Sequence, residues 1–295
     1  MSNHRLLIAF AHPDDESFGL GAFIARSVAK GVDVYYVCAT NGEVGTVSPE
    51  MLQGYNSIKE LRLAELDCAS KILGFKKVFK LGFKDSGMMG DPTNDDPECL
   101  WWNGLNNHAE VTRRVVEVIR EIQPQVIITF NKYGGYGHPD HIAIQRATTE
   151  AFSLSGDDHY LTIGQPIYQP QKLYYNNIPT FFIKIGIWRT RLAGKDPRKL
   201  GRNQDIDLLM ILDNVEPSHA KVNVGAYLDD WDRASACHAS QGGGRGGFVP
   251  RWMRRVLGVR QSFTRIHPKP ARDVVDEDDL FTGVKLDEAV VADRS

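Results

Sequence analysis

Strand-like runs separated by helix-like segments constrain this chain more than any other feature. RLLIAFA (5–11) is continuously apolar, and DVYYVCAT (33–40), KVFKLGF (77–83) and QVIITFN (125–131) repeat the theme. Strands covered on both faces read as such unbroken runs, and they belong to parallel sheets shielded by helices. The intervening segments carry helix signals. Residues 16–30 are predicted helical, with Gly31 as the stop. Ser57-Ile-Lys-Glu60 is a capping-box pattern opening a helix over 57–73, and Gly74 ends it. A helix over 107–122 stops before Pro124, and another follows GHPDH to about residue 152. This alternation predicts an α/β fold, with a Rossmann-like, mostly parallel sheet flanked by helices.

After residue 155 the pattern changes. KLYYNN (172–177) and DIDLLMIL (205–212) read as strands, HAKVNV (219–224) as a candidate strand, and 227–241 as a helix. Segment 179–203 reads as irregular and basic, 242–270 mixes glycines, arginines and aromatics, and the tail from Asp273 is acidic. The polar stretch 84–106 is longer than an idle loop in a compact domain, which favours a functional role. We expect one domain over 1–295. Residues 1–155 form its core, and 156–295 complete the fold and cover the cleft.

Bulk properties narrow the function. A formal charge of −2 on 295 residues points to neither nucleic acid nor an acidic membrane as partner. No apolar run is long enough to span a bilayer, so stable membrane insertion is not expected, and Leu6–Ala11 is too short for a signal-peptide core. Cys38, Cys68, Cys99 and Cys237 are scattered without a CxxC pair. That spacing predicts no disulfide framework and no thiolate zinc site, and it suits a reducing, cytoplasmic setting.

The chemistry sits in two short motifs, AHPDDE (11–16) and GHPDH (137–141), each just beyond a predicted strand. Ligands of open α/β sheets bind at the carboxyl ends of strands. His12-x-x-Asp15 and His138-x-x-His141 each place two donors one helical turn apart, with Pro139 tolerated in a first turn. Two histidines and one carboxylate with open positions form a catalytic zinc set. Spacing alone leaves Asp14, Asp15, Glu16, His138 and Asp140 all eligible. A carboxylate ligand lowers the site's positive charge, so a separate acceptor for the water proton helps, and Asp14 is placed for that. His138 is a proton donor or electrostatic stabiliser, with Asp140 fixing its tautomer. Tyr136, in GGYG, is a hydrogen-bond donor for a developing oxyanion.

These residues resemble the PIG-L/LmbE-like family of metal-dependent N-acetylglucosaminyl deacetylases. Arg62-Leu-Ala-Glu65-Leu66 resembles the family's RxxEL helix. Lys84-Asp85-Ser86-Gly87-Met88 resembles the DSGM loop of the mycothiol-pathway deacetylases and mycothiol-conjugate amidases. ACHASQ (236–241) resembles the late AHxSQ helix, although the lysine common before that motif is missing from LDDWDRASACHASQ. The resemblance covers 5–153 well and 219–285 loosely. It implies that His12, Asp15 and His141 bind Zn2+, with Fe2+ as an alternative. It also implies that Asp14 is the general base, His138 the acid or stabiliser, and Tyr136 the oxyanion donor. Arg62 and Asp85 would meet the sugar. The expected substrate is a small N-acetylated glycoside, cleaved to acetate and a free amine, and a homo-oligomer is left open. The runner-up is an amidase cleaving a thiol–glycoside conjugate, followed by a non-haem Fe(II) oxygenase and a non-catalytic glycan binder.

Two weaker signals remain. Gly19-x-Gly21 imitates a dinucleotide fingerprint, but Ile24 fills the third glycine position. RWMRRVLGVR (251–260), near Phe248 and Phe263, is basic and aromatic. It reads as a solvated helix face before it reads as a site for nucleic acid or an anionic membrane.

Overall fold

The computed structural model describes residues 4–160, 162, 164–201, 204–244 and 259–286. The first half alternates as the sequence predicts. β1 (Arg5–Phe10), α1 (Asp15–Ala29), β2 (Asp33–Thr40), α2 (Ile58–Leu73) and β3 (Lys77–Phe83) are followed by α3 (Leu100–Asn106), α4 (His108–Ile122) and β4 (Val126–Phe130). A short turn, α5 (Gly134–Gly137), then leads into α6 (Pro139–Leu154). At the start of α2, the Ser57 hydroxyl accepts from the Glu60 N–H at 3.1 Å. Glu60 reaches back to the Asn56 N–H at 2.8 Å, one residue before the usual capping-box partner. Gly74, at φ 79°, closes the helix.

The second half adds β5 (Lys172–Asn177), α7 (Thr180–Leu192), α8 (Leu208–Asp213), β6 (Ala220–Asn223), α9 (Leu228–Cys237) and β7 (Arg260–His267). Among the described residues the strands form one seven-stranded sheet in the order β3-β2-β1-β4-β5-β7-β6. β1 to β5 are mutually parallel, and β7 runs antiparallel to both β5 and β6. The centre of the sheet is fully buried from Leu6 to Ala11 and from Val126 to Ile128, as covered parallel strands require.

Two readings of this half need correction. DIDLLMIL contains helix α8, not a strand. A short apolar run has no period that separates the two, and the Asp207 carboxylate decides the matter by accepting from the N–H groups of Leu209 and Met210 at 2.8 and 3.1 Å. Segment 179–203 is not irregular throughout, because α7 occupies 180–192. Within 242–270 lies β7, and Phe263 is one of its fully buried side chains. RWMRRVLG, at 251–258, lies outside the described residues, as does Phe248.

The acidic tail is fixed to the sheet. Glu277 accepts from Lys172 Nζ at 2.6 Å, Tyr174 Oη at 2.6 Å and Arg265 Nη1 at 2.9 Å. Asp279 meets Arg26 and Lys30, each at 3.1 Å. The expectation of no disulfide also needs correction. Cys68 of α2 and Cys237 of α9 are joined in a disulfide, while Cys38 and Cys99 are free and buried. A separation of 169 residues hides that pairing from any local motif. Spacing therefore offered no valid support for a reducing compartment.

Candidate metal centre

Between β1 and β4 the sheet changes direction. The chain builds outward from β1 through β2 to β3, then returns to place β4 on the other flank of β1. The strand ends diverge there and leave a crevice at their carboxyl side. His12 stands just past β1. His138 and His141 stand past β4, at the N-cap and in the first turn of α6. His12 and His141 are 129 residues apart in sequence, and this crossover is what brings them together.

Three donors converge. His12 Nδ1 lies 3.0 Å from His141 Nε2 and 3.5 Å from Asp15 Oδ2, and His141 Nε2 lies 3.3 Å from Asp15 Oδ1. Ligands bound to zinc at about 2.0–2.1 Å stand roughly 3.3 Å apart around a tetrahedron, so this triangle has the right size. The other nitrogen of each imidazole is committed. His141 Nδ1 faces the Gly134 carbonyl at 3.0 Å, and His12 Nε2 faces Asp140 Oδ2 at 3.2 Å. With those nitrogens protonated, both ligating lone pairs point into the triangle. Two lone pairs at 3.0 Å repel one another unless a cation or proton sits between them, so the donor set fits a divalent metal. His138 also brings a donor atom within 4.8 Å of His12 and His141. Its Nδ1, however, accepts the Asp140 N–H at 3.2 Å, which puts the proton of the neutral ring on Nε2, whereas Asp15 faces both His12 and His141.

The surrounding groups hold this triangle. Phe130 stacks on the His141 ring at 3.9 Å between centroids and 6° between planes. Gly134, at φ +68°, leaves no room for a side chain, since a Cβ would stand 2.9 Å from His141 Cβ. Asp140 was expected to orient His138 through its carboxylate. Instead that carboxylate faces His12, and it is the Asp140 backbone N–H that fixes the His138 tautomer. The Ser86 hydroxyl and its N–H (2.8 Å) both donate to Asp140. Ser86 lies inside the DSGM motif, but no local pattern assigns it this partner.

Asp14 lies at the edge of the triangle. Its Oδ2 accepts from Arg62 Nη2 at 2.9 Å. Arg62 also donates to the carbonyls of Pro13 and Gly42, both at 3.0 Å. A side chain at Gly42, φ +71°, would meet Arg62 Nη1 at 2.5 Å, so the glycine admits the guanidinium. Burial pushes the Asp14 carboxyl up to about 6, against the pull of Arg62. Asp85 accepts the Gly87 N–H at 2.9 Å and lies 3.6 Å from His12 Nε2. Burial alone would raise Asp85, but His12 and its hydrogen bonds hold it below the usual carboxylate range. Burial also disfavours the charged form of His12, but Asp85, Asp140 and Asp15 outweigh it and raise its pKa. Burial and the neighbouring imidazoles lower His138, and burial raises Tyr136, which keeps the phenol protonated.

The pocket over these groups has a volume of about 820 Å³. His12, Asp14, Arg62, Asp85, Tyr136 and His138 line it, and so does Gln241 from the late motif. Arg62 and Asp85 therefore face the cavity, although most of their bonds run to protein groups. Glu16 is not beside the donors. Its Oε1 pairs with His238 Nε2 at 2.6 Å, and both side chains are fully buried. Nearby, Glu65 accepts from the Ser240 N–H at 2.8 Å and its hydroxyl at 2.6 Å. The late motif is thus clamped to α1 and α2. Gly21 belongs to this packing rather than to a nucleotide, because a Cβ there would sit 2.7 Å from Trp231 Cδ1.

Removing His238 leaves the buried Glu16 carboxylate with the Ser17 hydroxyl (2.7 Å) in place of a cation, and breaking a buried ion pair costs about 3–5 kcal/mol. Burial opposes the imidazolium, but Glu16 outweighs it and raises the folded pKa above the usual imidazole value. Stabilisation of that kind is complete below the unfolded pKa and fades as pH rises through the folded one. We expect His238→Ala to lower the urea unfolding free energy most at pH 6 and less at pH 9. An equal loss at both pH values would reject a charged pair.

Fold and donors together define an α/β protein with a cluster of histidines and carboxylates at its switch point that could hold a metal ion. Residues 7–152 match PIG-L, the GlcNAc-PI de-N-acetylase family. The chain is 33% identical to a 1D-myo-inositol 2-acetamido-2-deoxy-alpha-D-glucopyranoside deacetylase of Geodermatophilus obscurus, over 96% of this chain and 98% of that protein. It is 34% identical to a protein of the same description from Acidothermus cellulolyticus, over 96% of each chain. The N,N'-diacetylchitobiose deacetylase of Pyrococcus horikoshii shares the fold, with a TM-score of 0.59, 19% identity, and coverage of 92% of this chain and 88% of that one. This chain belongs to the PIG-L family.

Proposed function

We propose that this protein is a metal-dependent N-deacetylase that hydrolyses the N-acetyl amide of an amino-sugar glycoside to acetate and a free amine. The observation that carries the reading is the donor triangle, with sides of 3.0–3.5 Å, flanked by a carboxylate and a third imidazole that it does not use. The two relatives named above are described as acting on a 2-acetamido sugar linked to inositol, so a glycoside of that kind is the first substrate to try. A chain-length pocket is not needed for such a molecule, and about 820 Å³ lies within the usual range for small-ligand sites.

In this reading His12, Asp15 and His141 hold Zn2+, or Fe2+ in its place. A bound ion would supply a water of lowered pKa and polarise the acyl carbonyl. Asp14 takes the proton from the attacking water. Arg62 fixes the direction of its oxygens, and burial opposes the pull of that guanidinium on its pKa. His138 is held neutral, with Nδ1 engaged, so its Nε2–H is the group available to stabilise the oxyanion and to support departure of the amine. Tyr136 remains a phenol and offers a second donor. Arg62 and Asp85 present their remaining polar edges to the sugar.

The direct test is amine release from a panel of N-acetylated glycosides, with zinc or ferrous iron added and under nitrogen. Turnover without oxygen, abolished by a chelator and restored by metal, is the expected result. Cleavage that survives chelation would sink it. Among the described residues no helix is long and apolar enough to cross a membrane. A cytoplasmic location is part of the proposal and makes its own prediction. Cys68 and Cys237 should be thiols in cells trapped with an alkylating agent, as read by peptide mass spectrometry. A bridge already closed at lysis would place the protein in an oxidising compartment.

A further inference from the structure

We infer that α7 is a docking face for the surface of an anionic lipid bilayer. Phe181, Trp188 and Leu192 are 55%, 62% and 66% exposed, although large apolar side chains are rarely left so open on one helix. At about 100° per residue their directions fall within roughly 40° of one another, so they form a single narrow stripe. Lys184 and Arg191 fall on one side of that stripe and Arg189 on the other, about 60–80° away. From Lys184 to Lys199 the basic residues are Lys184, Arg189, Arg191, Lys195, Arg198 and Lys199, against the single acid Asp196. The whole chain carries only −2, so this run is locally positive, with Asp205 and Asp207 brought beside its C-terminal end by the Leu200–Ile206 bridge. No described carboxylate pairs with Lys184, Arg191 or Lys195. Of the acidic tail, Glu277 is engaged by Lys172 and Arg265, and Asp279 by Arg26 and Lys30.

An apolar stripe with cations along both flanks is what an in-plane helix presents to acyl chains and acidic headgroups. The opposite face of α7 is already occupied. Ile183 and Ile187 pack with Ile211 onto a cluster that includes Tyr136 and Ile206. Ile206 and Tyr136 also line the main pocket, so the exposed stripe belongs to an element fixed to the pocket wall. A second copy of the chain is a poor occupant. A two-fold contact centred on the stripe would crowd two copies of Lys184 and Arg191 into one small interface. Three side chains also fall well short of the roughly 800 Å² per partner that a stable interface buries. A nucleic-acid strand would have to run its phosphates beside the uncharged centre of the stripe. The inference is independent of which amide the protein cleaves.

The test is co-sedimentation of the full-length protein with vesicles of phosphatidylcholine alone or mixed with phosphatidylglycerol. Binding is expected only to the mixed vesicles, weakening at least tenfold when salt is raised from 0.05 to about 0.5 M. Each basic group near such a surface contributes about fivefold in affinity, so Lys184→Gln with Arg191→Gln should weaken binding about 25-fold. Trp188→Ala with Leu192→Ala should lose at least tenfold even at low salt, with an unchanged melting temperature showing that α7 is still packed. Wild-type binding by that pair of variants, or equal binding to both vesicle types, overturns the proposal. So does a concentration-dependent dimer in analytical ultracentrifugation that Trp188→Ala abolishes, because the face would then serve a second copy. Tight capture of a single-stranded oligonucleotide through the same residues, without vesicle binding, overturns it as well.

Discussion

Asp14→Asn is expected to keep the bound metal and to lose about 10²–10⁴ in kcat, the range that a positioned acid–base group supplies. The amide is nearly the same size as the carboxylate and still accepts from Arg62, so the wall of the pocket should stand. What it lacks is a basic oxygen for the water proton. Metal content by elemental analysis should therefore match the wild type while amine release collapses. The pH dependence has a definite sign. Asp14 must be ionised to act, so the wild-type rate should fall as pH drops through its pKa. Burial raises that value to about 6, and a cation in the adjoining cup draws it down. Full turnover by Asp14→Asn would remove Asp14 from the base role and leave the metal assignment untouched.

His141→Ala should behave in the opposite way, losing the metal first and activity as a consequence. One of two nitrogen donors disappears, and the alanine cannot replace it. The partners that orient the ring, the Gly134 carbonyl and the face of Phe130, are left with nothing to hold. Altering only the groups that orient metal ligands typically costs 10–100-fold in affinity, so losing a ligand itself should cost more than 100-fold. Competition with a fluorescent chelator measures this directly. An unchanged affinity in His141→Ala would show that His138, whose ring is 5.1 Å from that of His141, is a ligand instead. The two variants together separate chemistry from metal binding.

Much of the first half was legible because its determinants are local. Unbroken apolar strands, the Ser57 cap and the Gly74 stop each act within a few residues, and β1 to β4 with α1, α2, α4 and α6 appear where these signals put them. The two histidine motifs were equally plain, because parallel strands all release their next residues at the same edge of the sheet. The second half was harder. An eight-residue apolar run has no period to betray whether it is helix or strand, and only the Asp207 cap shows that 208–213 is helical. The exposed stripe of α7 was hidden in the same way, since its basic residues made the segment look like loop.

Sequence by itself determined which residues could serve: a histidine–aspartate pair and a histidine–histidine pair, each one turn apart and each behind a buried strand. Those are covalent spacings, and they survive any packing. Tertiary structure alone decided who faces whom. Because β4 returns to the flank of β1, the Asp140 carboxylate orients His12 rather than its neighbour His138, Glu16 turns away to meet His238, and Cys68 reaches Cys237. Pairings between groups more than 100 residues apart depend on the crossing of the sheet and on which face each helix buries, and no local pattern of residues encodes either.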